Sequence, residues 1–141
     1  MVYSVLVLCT GNSCRSQMAE AYFRKFTDGQ WRCESAGTDP TGYVHPLAIA
    51  VMGEDAIDIA AHTSKSLASF AKEDWDYVVT VCDRAAEACP VLAAAVVVLH
   101  WPFPDPAEAS GSREQQLTAF RETRDAIKRR VGELLRGLKG N

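Results

Sequence analysis

A cysteine, a glycine, an arginine and a serine fall close together near the start of the chain, in Cys9-Thr10-Gly11-Asn12-Ser13-Cys14-Arg15-Ser16. These residue types at this spacing suit attack of a thiolate on a tetrahedral oxyanion. The thiolate is the reactive form of cysteine, and a positive local field favours it. Arg15 offers a rigid fork of N–H donors that matches two oxyanion oxygens at once. Gly11 permits backbone angles that other residues resist. A helix opening at the end of the loop would turn its unpaired amides toward the same anion. Ser16 is placed to donate a hydrogen bond to the Cys9 sulfur. Cys9 then sits at the base of a cradle formed by Thr10, Gly11, Asn12, Ser13, Cys14, Arg15 and Ser16. The bland alternative is a strand-to-helix turn with an incidental buried thiol. A cysteine five residues before an arginine carries little weight alone, so the flanking elements decide.

Those elements are legible. Residues 3–8 form a continuous apolar run, as in a strand buried on both faces. Residues 16–26 read as a helix, with Met18, Ala19, Tyr22, Phe23 and Phe26 at helical spacing. Strands are expected at 31–36, 76–81 and 93–99, and helices at 45–52 and 66–70, with Pro46 suited to a first turn. Leu117, Phe120, Ile127, Val131, Leu134 and Leu138 mark the apolar stripe of a long C-terminal helix. Alternating strands and helices predict a single α/β domain over residues 1–141. It is a three-layer sandwich with a four-stranded parallel sheet and helices on both faces. Ligands of such sheets bind beyond the carboxyl ends of the strands. Cys9 follows the first strand and Cys82 the third, which puts both thiols on one edge.

Composition narrows the partners. Fifteen Lys and Arg against eighteen Asp and Glu leave a net charge of -3, unlike the basic footprint of a nucleic-acid binder. No apolar run approaches the ~18 residues that span a bilayer. The first nine residues lack a basic n-region and a small-residue cleavage site, so a cytoplasmic, non-membrane protein is expected. In that reducing compartment a disulfide framework explains five cysteines poorly. Their spacing contains no C-x-x-C pair, so no metal site is expected. Cys33 reads as core, and Trp31, Trp75 and Trp101 as packing residues. His45, His62 and His100 read as local hydrogen-bonding groups, and Lys128-Arg129-Arg130 as a solvated helix face.

The segment CTGNSCRSQMAE (9–20) resembles the signature loop of thioredoxin-coupled arsenate reductases, which are built on the low-molecular-weight protein tyrosine phosphatase fold. Ser35-Ala36-Gly37, His62-Thr63-Ser64, Val79-Thr80-Val81-Cys82, Cys89-Pro90, His100-Trp101 and Asp105-Pro106 resemble that family in order and spacing. Gln17-Met18 is typical of the reductases, where the phosphatases usually carry proline after the serine. The resemblance implies Cys9, Arg15 and Asp105 as catalytic residues, with Asp105 as general acid. It further implies Cys82 and Cys89 as a relay. Cys82 takes over the Cys9 sulfur as arsenite leaves, Cys89 then pairs with Cys82, and thioredoxin restores the thiols. Alone, Cys82 reads as a strand-end core residue and Cys89 as a small hydrophobe on a helix. Together, bracketing the polar segment 83–88, they favour redox work.

Some family members bind potassium behind the loop, at positions matching Asn12, Glu20 and Ser35. Here Lys65 stands where the family carries aspartate after Thr-Ser. Either its ammonium supplies the positive charge, which implies little potassium dependence, or it points to solvent. No bound cofactor is expected, and a monomer is. Three alternatives remain. One is a tyrosine phosphatase, disfavoured because Ala107 and Glu108 rather than aromatic residues follow Asp105-Pro106. Another is an arsenate reductase fed by glutaredoxin or a small thiol. The third is a non-catalytic oxyanion sensor.

The relay makes a physical demand. Seven residues of α-helix span roughly 10.5 Å, whereas a disulfide holds its Cα atoms within about 7 Å. Segment 82–89 therefore cannot be an intact helix once Cys82 and Cys89 are joined. Amide hydrogen exchange across residues 82–90 is expected to be faster in the oxidised protein. Equal protection in both redox states would refute this.

Overall fold

The computed structural model describes residues 3–70, 72–81 and 95–139. Cys82, Cys89 and the polar segment between them lie outside the described residues. Four strands form one parallel sheet: β1 (Ser4–Cys9), β2 (Arg32–Gly37), β3 (Trp75–Thr80) and β4 (Ala95–His100). Their order is β2-β1-β3-β4, so the chain steps from β1 to one side, then crosses back to the other. Three α-helices accompany the sheet among the described residues: α1 (Arg15–Phe26), α2 (Pro46–Glu54) and α3 (Arg113–Lys139). This is the single α/β domain expected.

β1 is the spine. Val5, Leu6, Val7 and Leu8 are all fully buried, although successive strand side chains point to opposite faces. Both faces of β1 are therefore covered, which is why it reads as an unbroken apolar run. β1 pairs with β2 from Ser4↔Arg32 to Cys9↔Gly37, and with β3 from Val5↔Tyr77 to Leu8↔Thr80. Its carboxyl end is thus the topological switch point, where a doubly wound sheet opens a crevice.

α1 lies against β1, β2 and α3, and α2 against α3. α1 buries Met18, Ala19, Tyr22 and Phe23. Phe23 stacks on both Trp31 and Trp101, so these tryptophans pack as expected. The long helix α3 buries Leu117, Phe120, Ile127, Val131 and Leu135. Leu135 joins the expected stripe, and Leu134 and Leu138 are partly buried and pack against the same core. Two four-residue steps, Ile127 to Val131 to Leu135, carry the stripe around a 3.6-residue helix.

Other boundaries move by a residue or two. The second strand runs to Gly37 rather than ending at residue 36 and starts at Arg32. The third is Trp75–Thr80 rather than 76–81, and the fourth, Ala95–His100, runs one residue past the expected end at 99, while residues 93 and 94 lie outside the described residues. Helix α1 starts at Arg15, and α2 runs on to Glu54 behind an N-cap at His45. The short helix expected at 66–70 is a single 3₁₀ turn, Leu67–Ser69, capped by Ser66. Lys128 is no bare solvated residue, since its Nζ lies 3.0 Å from Asp55 Oδ2.

Candidate active site

The loop between β1 and α1 is held from outside by its carbonyls. Cys9 O accepts from Thr38 N (3.2 Å), Thr10 O from Asp39 N (2.9 Å) and Gly11 O from Thr41 N (3.0 Å). Ser64 Oγ adds a second donor to Gly11 O at 3.0 Å. Asn12 O accepts from Gln17 Nε2 (3.1 Å), Ser13 O from His45 N and Cys14 O from Met18 N (both 3.0 Å). The amides of Gly11, Asn12 and Ser13 find no protein acceptor among the described residues. Unmatched N–H groups gathered at a helix N-terminus form an anion cradle.

Asn12 sets the curl. It is fully buried at φ +47°, in the left-handed region. Asparagine tolerates that region better than most residues, though at a cost. Its side chain offsets the cost through three bonds. Oδ1 accepts from Lys65 N (2.7 Å) and Gln17 Nε2 (3.0 Å), and Nδ2 donates to Ser16 Oγ (2.8 Å). Gln17 also donates to Thr63 O at 2.9 Å, so one buried amide ties loop, helix and the 62–65 segment together. Gly37 closes the floor. A Cβ there would lie 2.5 Å from Thr10 O and 3.0 Å from Asn12 N.

Arg15 arches over the mouth. Its Nη1 donates to Phe103 O at 2.8 Å, and its Nη2 lies 3.7 Å from Asp105 Oδ2. Its Nε is buried with no partner among the described residues. A buried donor left unpaired is costly, and a bound oxyanion would satisfy it. Asp105 caps the turn Pro106–Glu108, with Oδ1 accepting from Ala107 N at 3.0 Å. That cap aims the carboxyl group toward Arg15. Cys9, Gly11, Ser13, Cys14, Arg15 and Asp105 enclose a cavity of about 150 Å³, which Thr41, Tyr43, His45 and Ala107 complete. Thr10 lines the adjoining groove.

Below the loop lies a charged cluster. Glu20 is 2% exposed. Its Oε1 accepts from Ser35 Oγ at 2.6 Å and lies 3.2 Å from Lys65 Nζ. Its Oε2 lies 3.2 Å from Arg24 Nε and 3.6 Å from His62 Nδ1. Lys65 Nζ also reaches Glu34 Oε1 at 3.3 Å. Of the two expectations for Lys65, an inward ammonium is the one observed. Burial holds the His62 imidazole below its ordinary pKa, and Glu20 partly counters this.

The expected loop residues, Asp105 and the Asn12–Glu20–Ser35–Lys65 set thus come together in two adjoining layers. Ser16 serves as acceptor for Asn12, a partner the sequence did not suggest. Burial is the main cause that pushes the Cys14 thiol up to about 11. Cys33 is buried in β2 and likewise pushed up to about 11 by burial. Gln17, Gly37, Ser64 and His45 carry structural roles at the site that residue type alone does not announce.

Comparison with known proteins accords with this geometry. Residues 4–141 match the low molecular weight phosphotyrosine protein phosphatase family, and the chain belongs to it. Within that family it groups with the arsenate reductases. It is 42% identical to the arsenate reductase of Halalkalibacterium halodurans over 127 residues, covering 90% of this chain and 91% of that one. It is 41% identical to the arsenate reductase of Bacillus subtilis over 129 residues, 92% of each. An arsenate reductase solved in a phosphate-binding state superposes with a TM-score of 0.82 at 33% identity, covering 96% of this chain and 98% of that one.

The close approach at Gly37 yields a prediction. In Gly37→Ala the new methyl displaces Thr10 and Asn12, so affinity for inorganic phosphate, measured by calorimetry, should fall at least about tenfold, or 1.4 kcal/mol. The circular dichroism of the sheet should persist. Parental affinity in this variant would show that the floor does not shape the cradle.

Proposed function

We propose that this protein reduces arsenate to arsenite, with Cys9 as nucleophile, Cys82 and Cys89 as relay thiols and thioredoxin as the reductant. We further take it to act as a cytosolic monomer. The observation that carries the oxyanion chemistry is the buried Nε of Arg15 beside the loop amides, all without a partner among the described residues. Nε and Nη2 of one guanidinium form a bidentate fork for two oxyanion oxygens. The amides stabilise negative charge without reorganising as it develops.

Cys9 thiolate attacks As(V), and an arsenic-bound oxygen takes a proton from Asp105 and leaves as water. Cys82 thiolate then attacks the Cys9 sulfur. The As–S bond breaks, its electron pair stays on arsenic, and As(III) leaves as arsenite while a Cys9–Cys82 disulfide forms. Cys89 thiolate attacks the Cys82 sulfur, expelling Cys9 thiolate and leaving a Cys82–Cys89 disulfide. A thioredoxin dithiol reduces that disulfide and is itself oxidised. Val81, the residue before Cys82, donates to Leu8 O at 2.9 Å, so the chain passes the base of the cradle as it enters the relay segment. Weak hydrolysis of small aryl phosphates accompanies this reaction, since the cradle and Asp105 serve either oxyanion. Ala107 on the cavity wall offers no aromatic surface to a phenyl ring.

No potassium ion takes part in this scheme. Lys65 Nζ already contacts both Glu20 and Glu34, and Arg24 takes the other Glu20 oxygen. The residues present do not fit a potassium ion, because an ammonium occupies the carboxylate that would hold it.

NADPH consumption with arsenate, thioredoxin and thioredoxin reductase tests the relay. The parent should turn over continuously, Cys9→Ser should be inactive, and Cys82→Ser and Cys89→Ser should not sustain turnover. Continuous turnover by Cys89→Ser with thioredoxin alone would break the scheme. Rapid aryl phosphate hydrolysis without arsenate turnover would select the phosphatase instead. In the same assay, replacing sodium by potassium should change the parental rate less than about twofold, under 0.5 kcal/mol of barrier. A several-fold rise would restore a role for the ion.

A further inference from the structure

His45 stands at the end of the β2–α2 connection and is one of the residues lining the cavity that holds Cys9, Arg15 and Asp105. Three contacts fix it there. Its backbone N–H donates to Ser13 O at 3.0 Å, which ties it to the cradle loop. Its Nδ1 accepts from Leu47 N at 3.1 Å as the N-cap of α2. Its ring lies 4.8 Å from that of Phe120 on α3, tilted by 39°.

The cap contact decides the tautomer. A nitrogen that accepts a hydrogen bond cannot bear the proton of a neutral imidazole, so Nε2 carries it. Burial lowers the pKa of this imidazole, partly countered by Asp105, so the ring is predominantly neutral at pH 7. The Nε2–H has no acceptor among the described residues. It is a donor held in place by the opposite ring edge, on a residue of the cavity wall.

We infer that His45 is a binding residue of this site, donating its Nε2–H to an oxygen of the bound tetrahedral oxyanion on the side shared with Asp105. This rests on the proposed oxyanion reading of the cradle. It assigns the cavity a side-chain donor that comes from the N-cap of α2 rather than from the loop. Because the donor is neutral, it adds direction without adding charge beside Asp105.

Two substitutions separate binding from capping. In His45→Asn the side-chain oxygen can still cap Leu47 N, since asparagine is a favoured N-cap, but nothing replaces Nε2–H. In His45→Gln the amide nitrogen reaches about as far as Nε2, while the cap is lost. Calorimetry with inorganic phosphate on the reduced protein, alongside thermal melting, reads both. His45→Asn should weaken phosphate about tenfold with a melting midpoint near the parent's. His45→Gln should recover most of the affinity while melting a few degrees lower, as loss of a cap requires. Parental affinity in His45→Asn, or weak binding only in His45→Gln, would overturn the inference and leave His45 a cap. A parent that does not bind phosphate at all would sink the oxyanion reading itself. In ¹⁵N-histidine-labelled protein, the Nε2 signal should be that of a protonated neutral ring and should shift on phosphate addition; an Nδ1-protonated ring would refute the assignment.

Discussion

The site depends on where six carbonyl groups point. Those of Cys9 to Cys14 each accept a hydrogen bond from outside the cradle, and the donors come from α1, the stretch after β2, the cap of α2 and Ser64. A planar trans peptide places its N–H opposite its C=O. Holding the carbonyls outward therefore aims the amides inward, whether or not an anion is present. A cradle of that kind stabilises developing charge with little reorganisation, which is the largest single contribution in many enzymes. The fold supplies the donors because β1 lies in the middle of the sheet. Only a central strand has chain returning past its carboxyl end on both sides.

The layer beneath extends the same constraint to charge. Glu20 is almost wholly buried, and removing one partner from such a carboxylate is far costlier than the pair is worth at the surface. Its neighbours also hold the loop. Lys65 donates its backbone N–H to Asn12, accepts Gly37 N at its carbonyl and sends its ammonium to Glu20 and Glu34. One residue thus connects the strained asparagine, the glycine floor and the buried charge. The two backbone bonds come from the main chain at this position, and the ammonium stem starts from the same residue. The covalent tether fixes the position of the charge relative to Asn12.

Much of this was readable in the sequence, for definable reasons. β1 announced itself because burial on both faces demands an unbroken apolar run. The loop was evident because thiol, glycine, arginine and helix start are local features within eight residues. Lys65 stands out only against the family pattern, and sequence does not fix its direction because a lysine stem reaches solvent or an internal carboxylate equally well. Gln17, Gly37 and His45 were not legible as site residues. Each acts through partners distant in sequence: Gln17 through Thr63, Gly37 through Thr10 and Lys65, His45 through Ser13 and Phe120. Residue type says what a group can donate or accept, and only the fold says to whom. Leu135 is missed for a similar reason, since how wide the apolar stripe of a helix is depends on what packs against it.

Phosphatase and reductase chemistry share everything the cradle does. Phosphate and arsenate have the same shape and charge, and in both cases a Cys9 thiolate would displace an oxygen protonated by Asp105. The two reactions diverge only at the covalent intermediate, where either water attacks phosphorus or a thiol attacks the Cys9 sulfur. Discrimination therefore resides in what reaches that sulfur. The described residues bear on this at Val81, which donates to Leu8 O and accepts from Phe103 N at 3.3 Å. That strut ties the end of β1 to the loop carrying Asp105. The chain leaves it directly for Cys82. Under the proposed relay, the segment that delivers the second thiol is thus anchored to the two elements that position the first thiol and its acid. A reductase built on a phosphatase cradle needs such an anchor. Without it, closing a disulfide onto Cys9 would first have to overcome the entropy of bringing a free loop to the site, a cost that grows with loop length.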